Sequence, residues 1–198
     1  MIKKIHFVWI SRQNKPIPEN CMQFVNMWKA MYNDWEVKIW ENTDIAGLDD
    51  PALDVCWKDP NIHEAQVCNR MRMSIIYNFG GIYADIDTKP IKRIDELIIN
   101  SKHDMVIGYT QARTKTKGYI VDTNMFYASV GNNVLRRVMD KFPVAQMGNR
   151  DINEYIANEC SNDVTLLPWR YFQDYNLTQE TYTLHWPYRL ATWVQRAR

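Results

Sequence analysis

The sequence lacks paired cysteines, long apolar runs and an excess of either charge. Its four cysteines include no Cys-x-x-Cys pair, which excludes the usual zinc spacings and favours reduced thiols in a cytoplasmic protein. The amino-terminal stretch MIKKIHFVWI has too few apolar residues for a signal peptide or a membrane-spanning helix. Any peripheral contact with a membrane would then depend on a surface patch or a partner.

The balance of charged and apolar residues is that of an ordinary globular protein. The net charge is +1 and 46% of the residues are hydrophobic, a composition that excludes a disordered chain. Basic residues are scattered along the sequence, so we expect no nucleic-acid partner. A chain of 198 residues can bury one core and is short for two, so we predict a single domain over residues 1–198.

The first half of the sequence predicts a strand, a helix and a strand, followed by a longer helix. KKIHFVWI is typical of a buried strand, residues 18–32 place apolar side chains at helical spacing, and WEVKIW alternates like a half-exposed strand. This order predicts a right-handed parallel unit. After a loop over residues 41–61 with at most a short helix, residues 62–77 contain neither glycine nor proline and predict a long helix.

A glycine pair is predicted to end that helix, because glycine accepts the positive φ of a helix exit. The next stretch, IYADID, is predicted to be a strand that ends at its carboxylates. Further along we expect a helix at IDELI, strands at DMVIGYT and VDTNMFYASV, a helix at GNNVLRRVMDKF and a loop-rich remainder over residues 144–198. The alternation of strands and helices predicts an α/β fold.

The two carboxylates that end this strand are a candidate metal site. Alternate side chains of an extended chain share a face, so Asp85 and Asp87 point together while Ile86 points into the opposite layer. Their repulsion would raise the pKa of one carboxyl unless a cation bound there. Carboxylate oxygens suit Mn²⁺ or Mg²⁺, which leave coordination positions for phosphates. An Asp-x-Asp triplet also arises by chance, but this one ends a strand of an α/β pattern, where ligands bind.

The preceding helix places Asn69 and Arg72 three residues apart and therefore on one face. Arg72 has apolar neighbours along that face, and a guanidinium in such a place normally has an anion beside it. Two interpretations stay open. Arg72 contacts a bound anion, or it forms a structural ion pair with Asp85 as the candidate partner.

The string VCNRMRMSIIYNFGGIYADIDTKPIKRIDEL resembles the core signature of glycosyltransferase family 32, the sugar-binding region that contains the Asp-x-Asp motif. The segments IHFVWI and EVKIW are similar to the first two strands of that family, and LLPWRYF followed by HW and TW is similar to its closing region. The resemblance implies a GT-A fold, a Rossmann-like mixed sheet flanked by helices. It also implies transfer of a sugar from a nucleotide-sugar donor with retention at the anomeric carbon.

The same resemblance implies roles for particular residues. Asp85, Asp87 and His185 would hold the metal, and Asp85 would also hold the ribose of the donor. Arg72, Asp85 and Asp87 are then the candidate catalytic residues, because they meet the charge that builds on the departing diphosphate. The candidate donor-binding residues are Val8, Trp9, Cys68, Asn69, Arg72, Asp85, Trp186 and Trp193.

Within the donor set, Trp9 would stack on the base, and Trp193, with Trp186 as its rival, would reach the diphosphate. The family usually has an aspartate where this chain has Asn69. An amide can still hydrogen-bond a sugar hydroxyl, but it lacks the charge and has half the acceptor capacity. The choice of donor and the level of activity therefore stay open.

The acceptor would lie against residues 109–127, with Asp122 and Asn124 as candidates. We thus predict a retaining glycosyltransferase that depends on Mn²⁺ or Mg²⁺ and uses a UDP-sugar, with GDP-mannose as the second choice. Its acceptor would be a glycan or a small molecule, in polysaccharide or cell-surface glycan biosynthesis.

Two alternatives stay open. The first is a non-catalytic nucleotide-sugar or carbohydrate-binding module on a degenerate transferase fold. The presence of Asn69 in place of the family's usual aspartate supports this alternative. The second is a metal-dependent phosphohydrolase, although the four histidines lack the clustered spacing that such an enzyme would need. A glycosidase is disfavoured, because its two carboxyls must flank the scissile bond.

Overall fold

The structure, a computed structural model, describes residues 1–113, 119–173 and 177–185. Within these ranges strands and helices are interspersed along the chain, as the sequence predicts for an α/β fold. The strands and helices are β1 (Lys4–Val8), α1 (Glu19–Met31), β2 (Glu36–Trp40), α2 (Pro51–Lys58), α3 (Glu64–Phe79), β3 (Gly81–Ala84), β4 (Thr88–Pro90), α4 (Asp95–Ile99), β5 (Met105–Arg113), β6 (Tyr119–Ala128), α5 (Asn133–Lys141), α6 (Asn149–Glu159), β7 (Thr165–Leu167), α7 (Arg170–Gln173) and β8 (Thr183–His185). None of the helices in these ranges is both long and apolar enough to cross a membrane.

Six strands form one mixed sheet in the order β2-β1-β3-β6-β5-β7. β1 pairs in parallel with β2 and with β3, which confirms the predicted parallel unit, whereas β6 runs antiparallel to β3 and β5. β4 and β8 form a separate antiparallel ribbon. The carboxyl ends of β1 and β3 meet at one edge of the sheet, and Trp9 and Asp85 directly follow these two strands. This edge is where open α/β sheets bind ligands.

Apolar side chains cover both faces of the sheet. Tyr83 and Phe126 belong to a cluster with α2, α3, α5 and α6, whereas Ile82 and Tyr127 belong to a cluster with α1, α4 and α7. Neighbouring residues of a strand thus enter opposite layers, as the period of two requires. The sheet is therefore sandwiched between helices, which is the predicted α/β architecture.

The glycine pair between α3 and β3 sets the close approach of β3 to β1. Gly80 and Gly81 have φ of 61° and 104°, values that favour glycine. A Cβ atom on Gly81 would lie 2.5 Å from the carbonyl oxygen of Lys4. The absence of a side chain at Gly81 therefore lets the sheet form directly after the helix.

Two sequence-based predictions are wrong. IYADID is not strand throughout, because β3 ends at Ala84 and residues 85–87 form a turn in which the Thr88 N–H donates to the Asp85 carbonyl at 2.9 Å. The prediction of a loop-rich remainder over residues 144–198 is corrected within its described part, which contains α6. Ile152 and Ile156 are buried apolar residues of that helix at a spacing of four, a helical signal that the aromatic residues around it obscured.

Candidate functional site

The turn between β3 and β4 brings two carboxylates and an imidazole together. Asp85 and Asp87 lie in this turn, and the register of the ribbon sets His185 opposite Thr88. His185 Nε2 lies 3.2 Å from Asp87 Oδ1 and 3.8 Å from Asp85 Oδ2. One ligand atom from each of these three residues lies within 4.8 Å of the other two. We call this group the acidic turn site; it gathers the residues that the sequence predicts as metal ligands.

Arg72 and Tyr83 hold the carboxylate of Asp85 in place. Arg72, on α3, is 5% exposed; its Nη1 lies 3.2 Å from Asp85 Oδ1 and donates to the carbonyl of Thr123 at 3.0 Å. The hydroxyl of Tyr83 donates to the same Asp85 oxygen at 2.6 Å, and the guanidinium lies 4.8 Å from the centre of the Tyr83 ring. The second oxygen of Asp85 is the one that faces His185.

The charges of the site depend on these contacts. Burial lowers the pKa of Arg72, but the carboxylate of Asp85 raises it, and the net result is a pKa above the usual range. Burial also lowers the pKa of His185, while its hydrogen bond to Asp87 and the charge of Asp85 raise it, again with a net increase. Arg72 is thus a permanent cation, and His185 must release any Nε2 proton before that nitrogen can bind a metal ion.

Asn124, on β6, joins the acidic turn to His185. Its carbonyl accepts the N–H of Asp85 at 2.7 Å, and its side-chain amide nitrogen lies 2.9 Å from His185 Nδ1. The backbone N–H of Asn124 donates to Asp122 Oδ1 at 3.0 Å. An amide nitrogen can only donate, so Nδ1 accepts here and the neutral ring has its proton on Nε2. For Nε2 to bind a metal ion, the proton must be on Nδ1 and the Asn124 amide must present its oxygen instead. Asp122 and Asn124 therefore lie behind the acidic turn, and their role toward an acceptor stays a prediction.

An open cleft of about 450 Å³ adjoins the acidic turn. Its walls are the first turns of α3 and the loop that follows β1, and Trp9 Nε1 donates to the carbonyl of Lys15 within that loop at 2.8 Å. The predicted site residues that line the cleft are Val8, Trp9, Cys68, Arg72, Asp85 and Asp87. The same cleft is thus lined by an indole, two carboxylates and a guanidinium.

The wall of the cleft is fixed by Arg12. Its guanidinium donates to the main-chain carbonyls of Ile62 and Asp59 at 2.5 and 2.8 Å, and its backbone N–H donates to Glu64 Oε1 at 2.6 Å. These bonds tie the loop after β1 to the segment that leads into α3. The position of Trp9 relative to α3 is therefore set by hydrogen bonds between loops.

Among the described residues that were predicted to bind the donor, Asn69 does not line the cleft. Asn69 is 4% exposed, and its amide donates to the carbonyl of Met147 at 2.6 Å. Trp186 and Trp193 lie outside the described residues, so their roles stay predictions. Conversely, Tyr83 joins the site without having been predicted from the sequence. Its position two residues before Asp85 was a signal, because alternate residues of a strand share a face.

The fold is the GT-A fold, which solved glycosyltransferases share. The structure is similar to PaToxG glycosyltransferase (TM-score 0.57, 16% identity, 81% of this chain and 70% of that one). It is also similar to the galactosyltransferase LgtC in complex with donor and acceptor sugar analogues (TM-score 0.52, 11% identity, 85% of this chain and 74% of that one). A third similar structure is a glycosyltransferase involved in glycosylation of the major capsid of PBCV-1 (TM-score 0.52, 7% identity, 91% of this chain and 92% of that one). These similarities confirm the predicted fold.

A family model matches part of the sequence. Residues 18–104 match the family described as "Glycosyltransferase sugar-binding region containing DXD motif", the family that the sequence resembles. An uncharacterised protein, L263 of Acanthamoeba polyphaga mimivirus, is 27% identical over 105 residues, which cover 50% of this chain and 16% of that protein. Both the matching family model and the similar structures are those of glycosyltransferases.

Proposed function

We propose that the protein transfers a sugar, with retention, from a nucleotide-sugar donor to a hydroxyl of a glycan or small acceptor, with a divalent cation at the acidic turn site. The observation that carries the proposal is the convergence of Asp85, Asp87 and His185 beside a cleft that is lined by both carboxylates and by Trp9. A nucleotide-sugar has the matching chemistry, with a flat base at one end and a diphosphate next to the sugar. UDP-sugars are the favoured donors.

The side chains of the acidic turn site fit a divalent cation. Two carboxylates supply hard oxygen ligands and His185 supplies a nitrogen, a set that suits Mn²⁺ better than Mg²⁺, which prefers oxygen and water in a near-ideal octahedron. When bound, the cation would neutralise the charge that grows on the departing diphosphate. Asp85 and Asp87 serve as anchors and not as a proton donor and acceptor.

Arg72 contributes a positive charge that is in place before the donor arrives. Its guanidinium is held by Asp85, by the Thr123 carbonyl and by stacking on Tyr83. The Nε atom of Arg72 is buried and makes no hydrogen bond with any described residue. A fixed cation beside the breaking bond stabilises the transition state without reorganisation during the reaction. The two interpretations of Arg72, a structural ion pair and a contact with a bound anion, are therefore compatible. The ion pair with Asp85 holds the guanidinium in the wall of the cleft.

A second candidate is a binding module without turnover. The observation that favours it is Asn69, whose amide is committed to the Met147 carbonyl, so this position offers a donor sugar no charge. A phosphohydrolase has less support, because Asp85, Asp87 and His185 form the one metal-ligand cluster found among the described residues.

A donor screen separates these functions. The purified protein is incubated with UDP-glucose, UDP-galactose, UDP-GlcNAc or GDP-mannose, with Mn²⁺ or with EDTA, while the melting temperature and the release of nucleoside diphosphate are measured. The transferase predicts stabilisation and slow release with one donor in Mn²⁺ alone. Binding without release even when acceptor glycans are added favours the module, and no binding to any donor contradicts both.

The variant Asp87→Asn tests the acidic turn site directly. It removes a charge from the candidate ligand set, so we expect metal-dependent donor turnover to fall by about 100-fold or more, while the unfolding midpoint without metal changes little. Asp54→Asn is the matched control, because Asp54 pairs with Lys58 at the exposed end of α2, away from the cleft. Full turnover by Asp87→Asn would show that this carboxylate holds no cation.

A further inference from the structure

A cavity of about 10 Å³ lies behind the acidic turn site, between the β4–β8 ribbon and β6. Its wall includes Thr88 and Thr183 from the ribbon, Asp122 and Asn124 from β6, and Phe172 from α7. This volume is about that of one water-sized sphere, so the cavity has room for a single water molecule.

The two threonines carry hydroxyls that need a partner. Thr88 and Thr183 are 1% and 0% exposed, and neither Oγ1 makes a hydrogen bond with the described residues. The register of the ribbon, with Thr88 opposite His185 and Pro90 opposite Thr183, sets both threonines on one face of the ribbon. Buried hydroxyls are nearly always hydrogen-bonded, to protein or to ordered water.

We propose that one buried water molecule binds in this cavity and bridges the Thr88 and Thr183 hydroxyls to the polar side chains of β6. Such waters typically make about three hydrogen bonds, and Asp122 and Asn124 lie in the same wall to complete that number. The ribbon carries His185 and begins directly after Asp87. The water therefore holds both of these residues against β6, which is a positioning role that rests on the proposed function.

The sign of a stability change tests the water. Valine has the shape of threonine without the hydroxyl, so Thr183→Val and Thr88→Val remove a bonded group if the water is present, and we expect each to lower the unfolding midpoint by about 2–4 °C. If the cavity is dry, each substitution removes an unpaired hydroxyl and the midpoint rises or stays. Thr123→Val is the control, because Thr123 donates to Asn153 Oδ1 at 2.9 Å and its loss must destabilise in either case.

Two further measurements make the outcome independent of activity. A high-resolution crystal structure is expected to show one density peak within hydrogen-bond distance of both hydroxyls, and the absence of a peak would overturn the proposal. Mn²⁺ titration followed by electron paramagnetic resonance is expected to show about tenfold weaker binding by Thr183→Val, and unchanged binding would exclude the positioning role. If the unaltered protein binds no Mn²⁺ while the density peak of the water is present, the proposed metal-dependent function is wrong and the buried water is confirmed.

Discussion

At the scale of single residues, the acidic turn site is arranged before any ligand binds. The carboxylate of Asp85 accepts a hydrogen bond from Tyr83 and pairs with Arg72 through one oxygen, so its other oxygen points toward His185. Asn124 orients His185 from the opposite side. Preorganised charges of this kind stabilise a transition state without the cost of reorientation.

Arg72→Lys tests the contribution of the guanidinium. Lysine keeps the charge but has no planar group to stack on Tyr83 and to reach both Asp85 and the Thr123 carbonyl. We expect kcat for the donor reaction to fall by roughly 10- to 100-fold with a smaller change in KM, as measured by steady-state release of nucleoside diphosphate.

The control for this variant is Arg70→Lys, on the same helix. Arg70 forms a two-point ion pair with Asp50 and does not line the cleft, so its replacement should lower stability without lowering the activity of the folded protein. If Arg72→Lys keeps the activity of the unaltered protein, Arg72 has only a structural role.

At the scale of elements, the junction of α3 and β3 places the acidic turn. Position 81 requires glycine, because β3 approaches β1 directly after the end of α3 and leaves no room for a Cβ atom. Gly81→Ala would combine a positive φ with a Cβ atom 2.5 Å from the Lys4 carbonyl oxygen, and we expect the free energy of unfolding to fall by about 2–4 kcal/mol in urea titrations.

The comparison variant is Gly47→Ala, because nothing lies within 4 Å of a Cβ at Gly47. Its change in the free energy of unfolding should stay within about 0.5 kcal/mol. Similar losses for the two variants would mean that the close approach at Gly81 does not constrain the sheet.

These elements also show which parts of the fold the sequence predicts. α3 was predicted from a long run without glycine or proline, and the structure confirms it with its limits shifted by two residues, 62–77 against Glu64–Phe79. The prediction that the strand continues through Asp87 was wrong. A turn and a strand can both bury Ile86 and leave the residues on either side of it polar. The alternation of polar and apolar residues therefore cannot distinguish a turn from a strand here. The end of β3 depends on the hydrogen bond from Thr88 N to the Asp85 carbonyl.

The candidate site was predictable only in its local part. The acidic pair and Arg72 lie within one continuous motif, where spacing and chemistry carry information. His185 lies far along the chain and comes to Asp87 only because β8 pairs with β4. A strand of three residues has too short a pattern to predict its partner, so the resemblance to a family was needed to predict it.

At the scale of the whole molecule, the sheet that supports the site depends on a buried neutral histidine. His6, on β1 between β2 and β3, is 2% exposed. Its Nδ1 accepts the indole N–H of Trp40 at 3.0 Å, and its Nε2 lies 3.0 Å from the carbonyl of Gly80. One nitrogen must accept and the other must donate, so these two bonds fit the neutral ring with its proton on Nε2.

Burial lowers the pKa of His6 from 6.5 to about 4, which makes the stability of the fold depend on pH. The unfolded chain takes up a proton at His6 below about pH 6.5, whereas the folded protein resists it until about pH 4. The contribution of His6 is therefore complete above pH 6.5 and is lost as the pH falls toward 4. Between pH 7 and pH 5 we expect His6 alone to lower the free energy of unfolding by about 2 kcal/mol.

Urea titrations at pH 7 and pH 5 measure this loss, and His6→Gln isolates it. The glutamine side chain is less well placed for the Trp40 and Gly80 bonds, so the variant should be less stable at pH 7. It has no group that titrates in this range, however, so the difference in its free energy of unfolding between the two pH values should be smaller by about 2 kcal/mol. Equal pH dependence in the two proteins would mean that His6 accepts a proton in the folded state as readily as in the unfolded chain, which contradicts the neutral ring that its two hydrogen bonds require.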